Sequence, residues 1–295
     1  MTPDAFEFAV DLPNEAFDKE AVTLLGFDER YKRVEKQLQL ISDPVGIKKW
    51  ATAKYHGKIP PIVNLIGGQY PLFVLEGDVG TGKTAFARGA ASRLCTRLRK
   101  EGHFFGLSTR VRGSGRVGEA STRINEAFDF VTEQLGRNRL VFLLIDEADS
   151  LLTARSDSHS HLEDRVAVNT IIQKVDDLRR HGGRLVVFLA TNRVDSLDAA
   201  ILRRIAIQET FLRPKDNERL QLLQSDLADL GLSNAQIQKF AMKTGPTNGL
   251  PGYTYSDFRT RLLPRIVANA FPDRVISEDD VLSAIEATKP SPVVL

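Results

Sequence analysis

The stretch Gly77-Asp78-Val79-Gly80-Thr81-Gly82-Lys83-Thr84 decides the fold of this 295-residue chain. It matches the pattern G-x-x-x-x-G-K-[S/T] in full. An apolar run at 72–76 precedes the stretch and an amphipathic segment follows it, which is the strand–loop–helix context that the pattern requires. The glycines allow backbone N–H groups to turn around phosphate oxygens, and the start of the following helix adds its dipole. The sequence therefore predicts a loop that binds the phosphates of a nucleotide.

Two side chains of this loop are predicted to act directly on a nucleoside triphosphate. Lys83 is expected to reach the β- and γ-phosphates, and the hydroxyl of Thr84 is expected to bind Mg²⁺. The alternative is a glycine-rich turn between a strand and a helix that binds no ligand. The combination of the full pattern with the correct context disfavours that alternative.

A pair of carboxylates follows the apolar run at 140–145 and predicts the second half of a nucleotide site. In open parallel sheets, ligands bind at the carboxyl ends of the strands. Asp146 is therefore expected to support Mg²⁺, and Glu147 to act as the general base that polarises the attacking water. The alternative for this pair is a solvated strand end without a ligand.

Short apolar runs alternate with amphipathic helices between residues 72 and 212. The runs predicted as strands are 72–76, 104–109, 140–145, 185–190 and 207–211. Such alternation favours a parallel sheet with right-handed crossover helices. The prediction for this part of the chain is a five-stranded parallel sheet with flanking helices.

The pattern changes after Arg213-Pro214, where no further run resembles a strand. The segments predicted as helices are 216–230, 234–244, 255–270 and 278–287. Pro264 is expected to kink the third of them, and Ser277 with Asp280 resembles a capping pair at the start of the fourth. We therefore predict an α/β domain over residues 21–212 and a small all-helical lid domain over 213–295. Residues 1–20, which are acidic and aperiodic, are predicted to form an N-terminal arm.

Composition excludes several other classes of protein. Forty Lys and Arg against 38 Asp and Glu give a net charge of +2, which predicts no general attraction to nucleic acid or to an anionic membrane. No apolar run is long enough to span a bilayer, and the acidic N-terminus lacks the features of a signal peptide. The single cysteine, Cys95, excludes an intrachain disulfide. The sequence is therefore expected to be cytoplasmic.

Taken together, these motifs resemble those of the AAA+ ATPase superfamily. The run 185–190 with Thr191-Asn192 looks like the strand that carries the sensor-1 residue, so the resemblance assigns Asn192 to the attacking water or the γ-phosphate. Arg203 and Arg204 lie where arginine fingers usually fall, and which of them acts stays open. An arginine supplied by a neighbouring subunit stabilises transition-state charge and is worth on the order of 10³–10⁵ in rate.

The resemblance is weaker in two places where the motifs of the superfamily are altered. The usual sensor-2 sequence is missing near the lid helix, and Arg259 is assigned to that role with Arg261 as the reserve. The usual aromatic pore loop is replaced by Arg116-Val117-Gly118, which the resemblance assigns to contact with a threaded substrate. The alternative for this segment is an ordinary glycine-rich loop.

Within the superfamily, the chain is similar to the pachytene-checkpoint type, whose members remodel HORMA-domain proteins. The similarity lies in Asp164-Arg165-Val166-Ala167-Val168-Asn169 and in Gln173-Lys174-Val175-Asp176. It implies a homo-hexamer that uses ATP and Mg²⁺ to pull a terminus of its substrate through a central pore. Bacterial members act on HORMA proteins that activate cyclic-oligonucleotide synthases in antiphage defence.

A second function class stays open at this point, namely an AAA+ motor on nucleic acid such as a clamp loader or helicase loader. The near-neutral charge makes nucleic acid an unlikely partner, whereas Arg110, Arg112 and Arg116 would supply a basic cluster at the pore. A scaffold that binds nucleotide without hydrolysis is a third class. The intact Lys83 and Glu147 argue against it.

Overall fold

The computed structural model describes residues 4–66, 68–108, 111, 118–136, 138–153, 162–247 and 249–293. The chain forms two compact units. The first comprises Met1–Glu76 with Thr84–Thr210, and the second comprises Gly77–Lys83 with Phe211–Leu295. The phosphate-loop residues that precede Thr84 therefore belong to the same unit as the C-terminal helices.

The described residues contain one six-stranded sheet with the order β1-β3-β4-β5-β2-β6. Its strands are β1 (Phe6–Leu12), β2 (Leu72–Gly77), β3 (Glu101–Leu107), β4 (Arg139–Ile145), β5 (Leu185–Thr191) and β6 (Ile207–Phe211). The pairs β2–β5, β3–β4 and β4–β5 are parallel. The predicted α/β fold with a parallel sheet is confirmed, and each of the five predicted strands forms.

The sixth strand, β1, corrects the prediction that residues 1–20 form an arm. β1 pairs antiparallel with β3, from Phe6 opposite Leu107 to Leu12 opposite Gly102. Phe6 and Phe8 alternate with exposed residues, which is the period of a strand with one covered face. The acidic residues of the strand, Glu7 and Asp11, hide this alternation when composition alone is considered.

Helices flank the sheet in the first unit and are the main regular elements of the second. The helices of the first unit are α1 (Glu15–Thr23), α2 (Phe27–Ser42), α3 (Pro44–Lys54), α4 (Pro61–Ile66), α5 (Lys83–Leu98, which begins at the last residue of the second unit's loop), α6 (Glu119–Glu133), α7 (Ala148–Leu151), α8 (Leu162–Leu178) and α9 (Ala199–Leu202). Those of the second unit are α10 (Asp216–Asp226), α11 (Asn234–Lys243), α12 (Leu263–Ala270) and α13 (Glu278–Ala287). In the described part of the chain, no helix is long and apolar enough to cross a membrane.

The core of the first unit explains why β4 and β5 read as unbroken apolar runs. Their side chains are buried on both faces of the sheet. On one face, Val141 and Leu143 belong to a buried cluster with Phe128 of α6 and Ile171 of α8. On the other face, aromatic rings pack together, and Phe142 stacks on Phe188 with 6.1 Å between ring centroids. Burial of each such side chain contributes about 1.5–3 kcal/mol.

Cys95 of α5 lies in a tight part of the first unit's core. The residue is fully buried, and a Cβ built on Gly102 of β3 would lie 2.8 Å from its sulfur. Burial raises the pKa of the Cys95 thiol to about 12. The thiol is therefore protonated near neutral pH and acts as a small apolar group.

In the second unit, the predicted third helix forms over residues 255–270, with a π-helical segment inside it. Residues Asp257–Leu262 form a π-helical turn, and α12 begins after it with a proline in its first turn. Pro264 lacks an N–H, so it is tolerated at a helix start and a regular helix does not continue through it. At α13, Ser277 and Asp280 form the predicted capping box.

Candidate functional site

The phosphate loop in the second unit has the backbone that only glycine readily adopts. Gly77, Gly80 and Gly82 have φ values of 142°, 74° and 95°. The packing is equally restrictive, because a Cβ at Gly80 would lie 2.6 Å from the Cβ of Ser256. The carbonyl of Gly80 also accepts a hydrogen bond from the N–H of Ser256 at 3.1 Å. Residues 254–256 therefore press against the loop and fix its shape.

Lys83 lies at the end of this loop and is 8% exposed. Its ammonium group donates hydrogen bonds to the carbonyls of Gly77 and Asp78 at 2.7 and 2.9 Å. The hydroxyl of Thr81 donates to the carbonyl of Asp78 at 2.7 Å. These contacts hold the predicted phosphate-binding amine across the mouth of the loop, where it satisfies backbone carbonyls.

Arg213 is a residue at this loop that sequence reasoning missed. Its guanidinium contacts the carboxylate of Asp78, with Nε 2.6 Å from Oδ2. Both side chains are mostly buried, at 14% and 13% exposure. The signal that could have found this pair is an acidic residue inside a loop that is predicted to bind phosphate. Such a residue needs a nearby positive partner.

The two predicted carboxylates, Asp146 and Glu147, lie in the first unit, directly after β4. The Thr84 hydroxyl donates to Oδ2 of Asp146 at 2.6 Å, so the two residues predicted to bind Mg²⁺ are in direct contact. Asp146 Oδ1 accepts the N–H of Glu147 at 2.9 Å. Glu147 has φ 49° and ψ 45°, which is the left-handed region. Both carboxylates are exposed at the sheet edge.

Asp149 joins this acidic group to the end of β5. Its Oδ1 accepts the hydroxyl of Thr191 at 2.8 Å and the N–H of Asn192 at 3.2 Å. The Thr191 hydroxyl also accepts the N–H of Arg193 at 3.0 Å. Glu147, the predicted general base, follows β4, and Asn192, the predicted sensor residue, follows the neighbouring strand β5. The carboxylate of Asp149 connects the ends of these two strands.

The two arginine-finger candidates differ in their surroundings within the first unit. Arg203 is exposed, and its Nε donates to the carbonyl of Ala199 at 3.1 Å. Arg204 is only 19% exposed, and it binds both oxygens of Asp176 at 2.7 and 2.8 Å. Its guanidinium also lies 5.4 Å from the ring centre of Tyr70. Hydrogen bonds from Arg204 hold the pKa of Asp176 below its usual value.

The remaining predicted site residues lie in the second unit, at the N-terminus of α6, or outside the described residues. Arg259, predicted as sensor 2, lies 3.7 Å from Asp226 of α10. The reserve, Arg261, donates to Asp257 at 3.0 Å. Of the predicted pore loop, Gly118 precedes α6 with φ 86°. Arg116 and Val117 lie outside the described residues, as do Arg110 and Arg112.

Each unit by itself offers groups that suit a nucleotide or a divalent cation. In the loop, Gly77 and Gly80 cannot be replaced by larger residues without a steric clash. A Cβ at Gly77, for example, would lie 2.0 Å from the carbonyl oxygen of Phe211. Thr84 and Asp146 offer the oxygen ligands that Mg²⁺ prefers. The described residues contain no cluster of three or more His, Cys, Asp or Glu side chains suited to a metal. A cation held by Thr84 and Asp146 would therefore take its other ligands from phosphate oxygens and water.

Comparison with known proteins relates this geometry to one family. Residues 73–213 match the profile of the "ATPase family associated with various cellular activities (AAA)". CD-NTase-associated protein 6 of Escherichia coli strain KTE188 is 46% identical to the chain, over 98% of this chain and 97% of that protein. The putative pachytene checkpoint protein 2 of Caenorhabditis elegans is 30% identical, over 54% of this chain and 39% of that protein.

A solved structure extends the similarity to three dimensions. One chain of the HORMA:CdnC:Trip13 complex of E. coli MS115-1 superimposes on this chain with a TM-score of 0.91. The two chains share 34% identity, and the superposition covers 100% of each. The similarity therefore includes both compact units and is not limited to the nucleotide-binding motifs.

Proposed function

Because this chain belongs to the AAA family of ATPases, and within it to the group of CD-NTase-associated protein 6, we propose that it remodels a HORMA-domain protein. ATP hydrolysis would supply the energy to unfold or disassemble HORMA complexes. The observation that carries the proposal is the full-length similarity to a chain of the HORMA:CdnC:Trip13 complex. The partner would be a HORMA protein bound to a cyclic-oligonucleotide synthase, and the activity would regulate antiphage defence in the cytoplasm.

The proposed chemistry divides between the loop and the acidic strand end. Lys83 would bind the terminal phosphates, and Thr84 and Asp146 would hold Mg²⁺, which would neutralise phosphate charge. Glu147 accepts a proton from the attacking water, and Asn192 orients that water or the γ-phosphate. The direct contact between Thr84 and Asp146 supports this assignment. Arg259 is the proposed sensor 2.

For the arginine finger we propose Arg203. It is exposed on its own subunit, whereas Arg204 would first have to leave its two-oxygen contact with Asp176. Breaking such a pair leaves a carboxylate unpaired, which is unfavourable. Arg204 would then have a structural role, in which its contact with Asp176 holds the C-terminal end of α9 to α8. Removal of Arg204 should therefore lower the melting temperature, whereas removal of Arg203 should lower ATP turnover and leave the melting temperature unchanged.

The proposed working form is a homo-hexamer that threads one terminus of the HORMA protein through its centre. The segment Arg116-Val117-Gly118 would face that pore. Val117 would pack on the extended peptide, and Arg116 would contact its carbonyls or acidic side chains. The proposed hexamer and the proposed pore loop rest on the resemblance to pachytene-checkpoint ATPases and on the similarity of this chain to its relatives.

The experiment that tests this function is a pull-down with the Glu147→Gln variant in the presence of ATP. This variant should bind ATP without hydrolysing it and so retain its substrate. We expect it to recover a HORMA-domain protein from a lysate of the cells that produce it. The Lys83→Ala variant is the control, because it should bind no ATP and recover no partner. Recovery of DNA in place of a HORMA protein would favour the nucleic-acid motor.

A further inference from the structure

The position of Asp78 in the phosphate loop raises an electrostatic problem. Asp78 directly follows the first glycine of the loop, so a carboxylate lies in a segment that is proposed to gather phosphates. An ionised carboxylate repels a triphosphate, and the repulsion is strong where water is partly excluded. Asp78 is mostly buried, so water screens its charge poorly. Something in the protein must offset this charge if the loop binds ATP.

Arg213 supplies the offsetting charge within the same unit. Its Nε and one terminal nitrogen lie 2.6 and 2.5 Å from Oδ2 of Asp78. The other donors of the guanidinium bind carbonyls of Gly252, Ser291 and Pro292 at 2.6, 2.8 and 2.9 Å. Four hydrogen bonds and the ion pair therefore hold the guanidinium. The side chain is fixed in place and cannot swing away from the loop without losing every one of these bonds.

Asp78 also has a structural task that explains why a carboxyl or amide side chain is needed there. Its Oδ1 accepts the N–H of Val79 at 2.9 Å, which shapes the turn between the first two glycines. Oδ2 is left to bind Arg213. An asparagine at position 78 could keep the contact of Oδ1 while removing the negative charge, and its amide nitrogen would then face the donors of Arg213 in place of Oδ2. The substitution therefore separates the charge of Asp78 from its contact with Val79.

We propose that Arg213 is a positioning residue for nucleotide binding, which cancels the charge of Asp78 and so makes the loop accept a triphosphate. The inference rests on the proposed binding of ATP by residues 77–84. It differs from the roles of Lys83 and Arg259, because Arg213 acts on the nucleotide through Asp78. A purely structural role for Arg213 would predict that nucleotide affinity changes only in parallel with the melting temperature of the variants.

A double-mutant cycle with a fluorescent ATP analogue tests the proposal. Arg213→Met removes the positive charge and should weaken nucleotide binding at least about tenfold, which corresponds to about 1.4 kcal/mol. Asp78→Asn alone leaves Arg213 unpaired beside the phosphates and should tighten binding about two- to fivefold. The double variant should return to within about threefold of the parental affinity. Arg213→Lys, which keeps the charge but loses the fixed fork of donors, should keep most of the affinity.

Several outcomes would overturn the inference. If Asp78→Asn binds nucleotide more weakly than the parent, or if the double variant binds as poorly as Arg213→Met, the charge of Asp78 is not the cause. The Asp78→Asn result stands even if Arg213→Met does not fold. A matched control is Arg274→Met with Asp280→Asn, since this ion pair lies in the same unit at the start of α13. That pair should change the melting temperature and leave nucleotide affinity unchanged.

The same titration separates this inference from the proposed function. Absence of nucleotide binding by the parental protein would contradict the proposed site as a whole. Binding by the parent without rescue in the double variant would contradict only the role of Arg213.

Discussion

Among individual residues, Glu147 carries a conformational strain at the point where chemistry is proposed. Its φ of 49° places a residue with a Cβ in the left-handed region, at a cost of about 1–2 kcal/mol. The strain is maintained because β4 ends in the sheet on one side and α7 begins on the other. A backbone held in this way aims the carboxylate before any substrate arrives.

This strain predicts that stability and activity respond in opposite directions at position 147. Glu147→Gly should raise the free energy of unfolding by about 1 kcal/mol relative to Glu147→Ala, because glycine adopts positive φ without strain. Both variants should lose ATP turnover by about 10²-fold or more. Urea denaturation and a phosphate-release assay measure the two effects. Equal stability of the two variants would show that the position is not strained.

Among the elements, the edge strand β1 depends on a close approach to β3. The ring of Phe8 lies where a side chain on Gly106 would be, since a Cβ there would come within 2.3 Å of the ring. Phe8 also stacks on Phe104, with 5.9 Å between ring centroids. The glycine is therefore needed for the packing of β1.

Gly106→Ala should consequently destabilise the first unit by about 1–3 kcal/mol, because the new methyl group displaces Phe8. In a Phe8→Ala background the same change should have a much smaller effect, since the clash is gone. Chemical denaturation of the four proteins measures the coupling. Additive effects of the two substitutions would mean that β1 does not pack on Gly106.

The π-helical turn of the second unit predicts a dependence of stability on pH. Burial acts to raise the pKa of Asp257, but hydrogen bonds from Ser291 and Thr254 outweigh it and hold this pKa below its usual value. The carboxylate accepts the Ser291 hydroxyl at 2.6 Å and the Thr254 N–H at 2.9 Å. A pKa that is lower in the folded state gives stability that is present above the unfolded pKa of about 3.9.

We therefore expect the contribution of Asp257 to be complete at pH 6–7 and to disappear as the pH falls below about 4. Asp257→Asn should lower stability by about 2 kcal/mol at pH 7 and should flatten the acid side of the stability profile. Melting temperatures between pH 3 and pH 7 measure this. An unchanged acid slope in the variant would assign the pH dependence to other groups.

The elements that sequence predicts correctly, namely the strands and helices around the motifs, are those whose signal is local. The loop 77–84 and the pair Asp146-Glu147 are short motifs attached to strongly apolar strands, so pattern and context coincide within a few residues. β1 was missed because its acidic residues hide the alternation of a strand with one covered face. Arg213 was missed because nothing near position 213 indicates that the fold brings it to Asp78. Partners of single charged side chains are set by tertiary structure, which one sequence does not display.

At the scale of the whole molecule, the proposed ring makes a prediction about mixed subunits. Lys83→Ala subunits should lack ATP binding but offer an intact Arg203, whereas Arg203→Ala subunits should bind ATP but lack the finger. Each variant alone should show at most a few per cent of parental turnover, because Lys83→Ala binds no ATP and Arg203→Ala lacks a finger worth on the order of 10³ in rate or more. Mixing them should restore turnover at interfaces where an intact loop meets an intact arginine. Failure to recover any activity would contradict a finger acting between subunits.

The buried sulfur of Cys95, next to Gly102, has a practical consequence for labelling experiments on this protein. Cys95 is the chain's one cysteine, and its thiol stays protonated at neutral pH. Alkylating dyes react with thiolates, so the native chain should remain unlabelled. A second cysteine placed on the surface would then take up a fluorophore or spin label alone, which makes the wild-type sequence a ready background for spectroscopic distance measurements.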